Sequence, residues 1–236
     1  MSGGSTETDS HNRMSLHRLR ITFEKTEAMK YTGHLDLHQA WERLIRRARL
    51  PLAYTQGFSP HPRINLASAL PLGFTGQAEV VDIWLETEAP MGETLAALRS
   101  ASPPGIQIRE LEAVELHLPA LQSVLEASEY IITLLEPVAD LETRIQQLLD
   151  RQVIARERRG KPYDLRPLIL NLERIANDPT EMARLQARLA AREGATGRPE
   201  EVLAAMEIDP LTARMHRSGL IFQAQADQTD KKDLLI

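Results

Sequence analysis

Apolar side chains occupy alternate positions from His17 to Lys25, where Leu19, Ile21 and Phe23 interleave with Arg20, Thr22 and Glu24. A period of two predicts a half-buried strand. From Leu35 to Arg49 the period lengthens. Leu37, Trp41, Leu44, Ile45 and Ala48 gather on one helical face, and Arg43, Arg46 and Arg47 on the opposite one. Thr32 or Gly33 is placed to cap this helix, Asp36 in its first turn suits the helix dipole, and Leu50-Pro51 ends it. Strands are expected near Arg63–Ser68 and over Val80–Glu86. Pro90–Arg99 presents Met91, Leu95 and Leu98 at helical spacing, and Ile106–Val114 adds a last strand. This β-α-β-β-α-β order is the ferredoxin-like split unit.

The second half reads as a degenerate copy. Glu129–Leu135 and Val153–Arg158 are expected strands flanking a helix over Leu141–Arg151. Leu185–Ala191 alternates again, Pro199–Met206 is helical, and Arg214–Phe222 supplies the final strand, with Asp164–Leu172 as an inserted element. The expected fold class is α+β, with tandem ferredoxin-like (βαββαβ) units, residues 16–116 and 117–223. One continuous α+β domain is the alternative. Residues 1–15, polar and without an apolar h-region, read as a disordered tail, and 224–236 as a frayed one.

Composition narrows the function classes. Of 236 residues 42% are hydrophobic and 26% charged, ordinary values for a chain that buries a core. A net charge of −5 excludes a generally basic coat but not local basic patches. With no cysteine, the chain offers no disulfide, iron–sulfur ligation or thiol catalysis, which suits a reducing cytoplasm. No apolar run approaches the ~20 residues of a membrane span, so no membrane is expected.

Three groups of residues carry candidate chemistry. His34, Asp36 and His38 form H-x-D-x-H at a helix start; i and i+4 share a face, but a satisfied surface histidine is the commoner outcome, so no metal and no cofactor are assigned. The loop Tyr54–Arg63 is stiffened by Pro60 and Pro62 and loosened at Gly57. Tyr54, Gln56, Phe58, Ser59, His61 and Arg63 supply stacking surfaces, donors and a cation for a phosphate, a base edge or a carboxylate. Arg43, Arg46 and Arg47, with only Glu42 interleaved, offer a phosphate-binding helix face beside it. The third group is R-R-G-K-P-Y-D-L-R, in which Arg158, Arg159, Lys161, Tyr163, Asp164 and Arg166 surround a turn at Gly160. An internal pair between Asp164 and Arg158 or Arg166 is the structural alternative.

The runs Tyr31-Thr32-Gly33-His34-Leu35-Asp36-Leu37, Tyr54-Thr55-Gln56-Gly57-Phe58-Ser59-Pro60-His61-Pro62-Arg63-Ile64 and Lys161-Pro162-Tyr163-Asp164-Leu165-Arg166-Pro167 together resemble the radical-SAM-linked protein family, a bacterial domain of unknown function. Ser59 stands where that family usually has Asn, and Pro162 where an acidic residue is common. The resemblance implies a partner: members are encoded beside, or fused to, radical-SAM proteins with a cobalamin-binding-like region. It implies no catalytic residue. The expectation is a non-catalytic partner of a separately encoded radical-SAM protein that binds or presents RNA. The alternatives are an enzyme on a phosphate-bearing substrate, using His61 with His34 or Asp36, and a protein–protein adaptor without nucleic acid.

Overall fold

The computed structural model describes residues 16–223; the expected tails, 1–15 and 224–236, lie outside the described residues. β1 (His17–Lys25) turns Leu19, Ile21 and Phe23 inward, as its alternation requires. α1 (His34–Arg47) starts at an N-cap Gly33 and buries Leu37, Ala40, Trp41, Leu44 and Ile45. It ends two residues before its expected limit, because Arg49 takes a left-handed conformation (φ 58°) ahead of Pro51. Then come β2 (Ile64–Leu66), β3 (Thr75–Leu85), α2 (Met91–Ala101) and β4 (Ile106–Val114). A one-turn α3 (Leu121–Val124) leads into β5 (Leu125–Leu134), α4 (Leu141–Asp150), β6 (Ala155–Arg158) and β7 (Lys161–Asp164). β8 (Ile169–Ile175), β9 (Arg184–Arg192), β10 (Ala195–Thr196), α5 (Pro199–Ala205) and β11 (Ala213–Phe222) complete the described chain.

The fold is mixed α/β, with one large mixed sheet and few helices. Among the described residues nine strands join this sheet in the order β10-β9-β5-β11-β3-β1-β4, with β2 added on β3 and β8 on β9. In the first half β1 is antiparallel to both β3 and β4, and β2 is antiparallel to β3. The second half repeats these relations: β5 is antiparallel to β9 and β11, and β8 to β9. The halves meet where β11 runs parallel to β3 for a short stretch, His216 opposite Thr75 and Arg217 opposite Gly76.

One strand assignment is corrected. Val153–Arg158 does not enter the large sheet; β6 and β7 pair only with each other, in a separate hairpin. Ala-Arg-Glu-Arg has no apolar phase to bury. The sheet position belongs to β8, whose Ile169 and Leu172 are buried. That strand begins inside the segment read as an insertion.

Each half has a core, and that of the second also takes in Leu70 and Phe74 of the first. In the first, Trp41 and Phe23 are fully buried and meet edge to face, 4.9 Å between ring centroids, a contact that contributes about 1 kcal/mol beyond area burial. In the second, Ile132, Leu185 and Leu203 are buried among the helices α4 and α5 and the sheet.

Candidate functional site

Three charges fall on the apolar phase of their strands at the seam between the halves. Arg217 on β11 is 1% exposed and Glu79 on β3 is 4% exposed. Arg217 Nε donates to Glu79 Oε1 at 2.8 Å, and a second guanidinium nitrogen bonds the other carboxylate oxygen. Burial alone would lower the Arg217 pKa, but the adjoining Glu79 carboxylate outweighs it and holds the value above the ordinary one. Lys25, also buried, donates to the carbonyls of Lys30 and Phe74 at 3.3 Å; burial lowers its pKa, Glu79 partly opposing. A buried charge without a partner would be very unfavourable, so this cluster makes the relative placement of β11 and β3 specific.

The same guanidinium reaches outward. Arg217 Nη1 donates to Ser68 Oγ (3.2 Å) and to the Ala69 carbonyl (3.3 Å), fixing the segment after β2. Ser68 and Ala69 form part of a cleft of about 450 Å³ between the two halves. One side is the start of α1, with His34, and the segment to Leu72; the other is β5, through Ser128 and Tyr130, and the approach to α5, through Arg198. Ser128 is 2% exposed, and its hydroxyl has no hydrogen-bond partner among the described residues. Arg198 is exposed, and its ionic neighbour is Glu200 at 4.0 Å. Tyr31, Leu35 and Leu72 stand exposed around the α1 start.

Of the H-x-D-x-H residues, His34 lines this cleft, and its pKa is lowered by burial and then by His38. The Asp36 carboxylate lies back against Gly33, over the first turn of α1. Among the described residues no three His, Cys, Asp or Glu side chains converge on a metal position. His61 does not line the cleft; its backbone N–H and carbonyl both bond Thr55 across the neck of its own loop.

That loop is closed by a bridge between Tyr54 and Pro62, and turns at Gly57 (φ 133°), where only glycine is unstrained. Its tip is open: Gln56, Phe58, Ser59 and His61 are exposed, Phe58 completely. Arg46 donates to the Tyr54 hydroxyl at 3.1 Å, so the loop and the arginine face of α1 form one surface. Arg46 is shared with Glu42, Arg47 donates to the Ala101 carbonyl, and Arg43 is exposed with no carboxylate partner among the described residues. Arg63 turns inward and stacks over Trp84 at 5.1 Å.

In the third group the internal contacts dominate. Arg158 pairs with Glu201 at 2.7 Å and stacks on Tyr163, whose hydroxyl also donates to Glu201. Asp164 accepts from the backbone N–H groups of Ile154 and Arg166, and the Arg166 guanidinium donates to the Leu149 carbonyl at the end of α4. Arg159 and Lys161 remain exposed at the hairpin turn. Arg158 also donates to the carbonyl of Thr196, which lines the cleft, so this hairpin adjoins its rim.

The model of an uncharacterized family of proteins conserved in bacteria, DUF2344, matches residues 18–199. The chain belongs to the DUF2344 family. No curated protein matches this DUF2344 chain. Among solved structures it is similar to a chain of a Cbf5-Nop10-Gar1 complex at 11% identity and TM-score 0.46, covering 86% of this chain and 48% of that one. It thus spans about half the length of that relative. The small subunit of acetolactate synthase from Thermotoga maritima is 11% identical at TM-score 0.27, with 90% and 99% covered. The CRISPR endoribonuclease Cse3, solved with RNA, is 12% identical at TM-score 0.22, with 87% and 100% covered. Likenesses this distant carry no weight for the DUF2344 site, which rests on its own residues.

Proposed function

We propose that this protein is a non-catalytic partner of a separately encoded radical-SAM enzyme, and that it binds or presents an RNA substrate through its basic surfaces. Its two β-α-β-β-α-β patterns, with strand orders β4-β1-β3-β2 and β11-β5-β9-β8, support reading it as tandem ferredoxin-like units. The radical-SAM partner rests on the resemblance of the Tyr31–Leu37, Tyr54–Ile64 and Lys161–Pro167 motifs.

RNA binding rests chiefly on one observation. The exposed ring of Phe58 and the open guanidinium of Arg43 belong to a single surface, tied together by Arg46 and Tyr54. An aromatic face beside unneutralised cations is what a single strand uses, the bases stacking and the phosphates pairing. Anisotropy of a short fluorescent single-stranded RNA against salt is the test. Binding should weaken steeply with salt, with a log–log slope of about −0.7 per phosphate neutralised. Arg43→Ala with Arg46→Ala should flatten that slope, and Phe58→Ala should cost about 1–3 kcal/mol with the slope unchanged. RNA binding that is absent at low salt, or indifferent to salt, defeats the reading.

The adaptor reading has an observation of its own, the exposed Tyr31, Leu35 and Leu72 around the start of α1. Co-purification of a radical-SAM protein free of nucleic acid, and lost on Leu35→Ser, would favour it. The geometry lends no support to an acid–base pair of His61 with His34 or Asp36, since His61 lies outside the cleft that His34 lines.

A further inference from the structure

We infer that the cleft between the halves is a subsite for one nucleotide of the bound RNA, with the Arg198 guanidinium on its phosphate and the Ser128 hydroxyl on a polar atom of its sugar or base. This rests on the RNA-binding reading above and deepens it. A cleft of about 450 Å³ lies within the range of sites that hold small ligands, about 300–1,000 Å³. Its lining mixes apolar side chains, Leu70 and Leu72 from one half and Pro199 from the other, with few polar groups. Apolar lining contributed by both halves suits a planar base taken out of a strand.

The Ser128 hydroxyl is the deciding group. A buried hydroxyl is unfavourable unless hydrogen-bonded, and this one, buried on a residue of the cleft lining, has no partner among the described residues. A hydroxyl both donates and accepts, so it serves a ribose oxygen or a base edge equally well. Arg198 lies on the same side of the cleft, on the approach to α5, with Glu200 at 4.0 Å as its ionic neighbour. The floor is rigid, because Ser68 and Ala69 are bonded to the buried Arg217. The rim connects to the exposed Arg159 and Lys161 through the Arg158–Thr196 contact, which gives the rest of the strand a basic path outward.

The cleft is not a general anion trap. Asp36 lies over the first turn of α1 and Glu200 beside Arg198, and two carboxylates at the margins oppose a bare anion. Phosphate joined to a nucleoside gains the apolar walls and the hydroxyl as well. Inorganic phosphate therefore should compete poorly where a ribonucleoside monophosphate competes well.

The experiment uses the full chain, the four ribonucleoside 5′-monophosphates, inorganic phosphate and the fluorescent RNA, with Ser128→Ala and Arg198→Gln beside the wild type. Mononucleotides should bind the wild type, on the order of fivefold more weakly after Ser128→Ala and tenfold or more after Arg198→Gln, as loss of a neutral and a charged hydrogen bond requires. Thermal melting without ligand should be no lower for Ser128→Ala than for the wild type, which separates a binding role from a structural one. Arg43→Ala should weaken RNA while leaving mononucleotide binding unchanged. If RNA binds with its salt dependence but both cleft variants match the wild type, the subsite is wrong and the RNA reading stands. If inorganic phosphate competes as well as the mononucleotides, the nucleoside assignment fails. If no RNA binds to any variant, both readings fall.

Discussion

Arg217→Met is the sharpest test of how the two halves are held together. The substitution keeps much of the side-chain volume and removes the guanidinium. Glu79, 4% exposed, is then a buried carboxylate that has lost two charge-assisted hydrogen bonds, and the Ser68 hydroxyl and Ala69 carbonyl lose theirs. Removing one partner of a buried ion pair costs about 3–5 kcal/mol. In a chain of this size each kcal/mol moves the melting temperature by about 2–4 °C, so a fall of roughly 6–20 °C is expected. Glu79→Gln should cost a comparable amount, because it strands the guanidinium. The double variant Arg217→Met with Glu79→Gln removes both charges of the pair, leaving Lys25 on the Lys30 and Phe74 carbonyls, and should recover about 2 kcal/mol or more of the summed loss. Denaturant unfolding followed by circular dichroism measures all four corners of this cycle. If Arg217→Met costs less than about 1 kcal/mol, or the single effects simply add, the pair is not what joins β11 to β3.

Two further outcomes follow from the same region. A Cβ at Gly76 would overlap the Glu79 carboxylate, so Gly76→Ala should displace it and destabilise the protein by about 1–3 kcal/mol, the cost of overpacking, with the loss much reduced in an Arg217→Met background. His216, which shares a hydrogen bond of 2.8 Å with Thr75 at the seam, has its pKa lowered by burial despite the opposing charges of Glu24, Glu79 and Glu27. His34 is lowered too. The unfolded chain takes up protons on both near the ordinary 6.5 and the folded chain only below it. Stability is therefore full above that pH and falls as pH drops through it, and His216→Gln should flatten this acid limb in denaturation curves collected across it.

Legibility in the sequence tracked how cleanly a segment alternates. β1 and α1 were readable because each shows a single apolar phase against charged neighbours. β3 begins at Thr75, five residues before the strand expected there, since Thr75–Glu79 carries little apolar signal and is held by pairing with β1 and β11. β8 hides because a register shift between Ile169 and Asn171 breaks its period, while Ala155–Arg158 is a true strand that pairs only with β7.

At the site, the exposed loop tip was visible from Gly57, Pro60 and Pro62. The inward turn of Arg63 onto Trp84, and the capture of Arg158, Asp164 and Arg166 by local acceptors, depend on contacts from distant segments that spacing does not encode. Lys25, Glu79 and Arg217 did leave a trace: each lies two residues from an inward apolar neighbour, Phe23, Val81 or Met215. Charges on an apolar phase predict a buried pair. Ser128 left none, because a serine in a strand is unremarkable until its surroundings are known.

The parallel junction of β11 with β3 has a consequence for synthesis. On the ribosome the first half can pack its core around Trp41, but Glu79 waits with its carboxylate unmatched until residues 213–222 have emerged. The cleft wall at Ser68 and Ala69 is thus fixed only after β11 has been made, well after the segment that forms it.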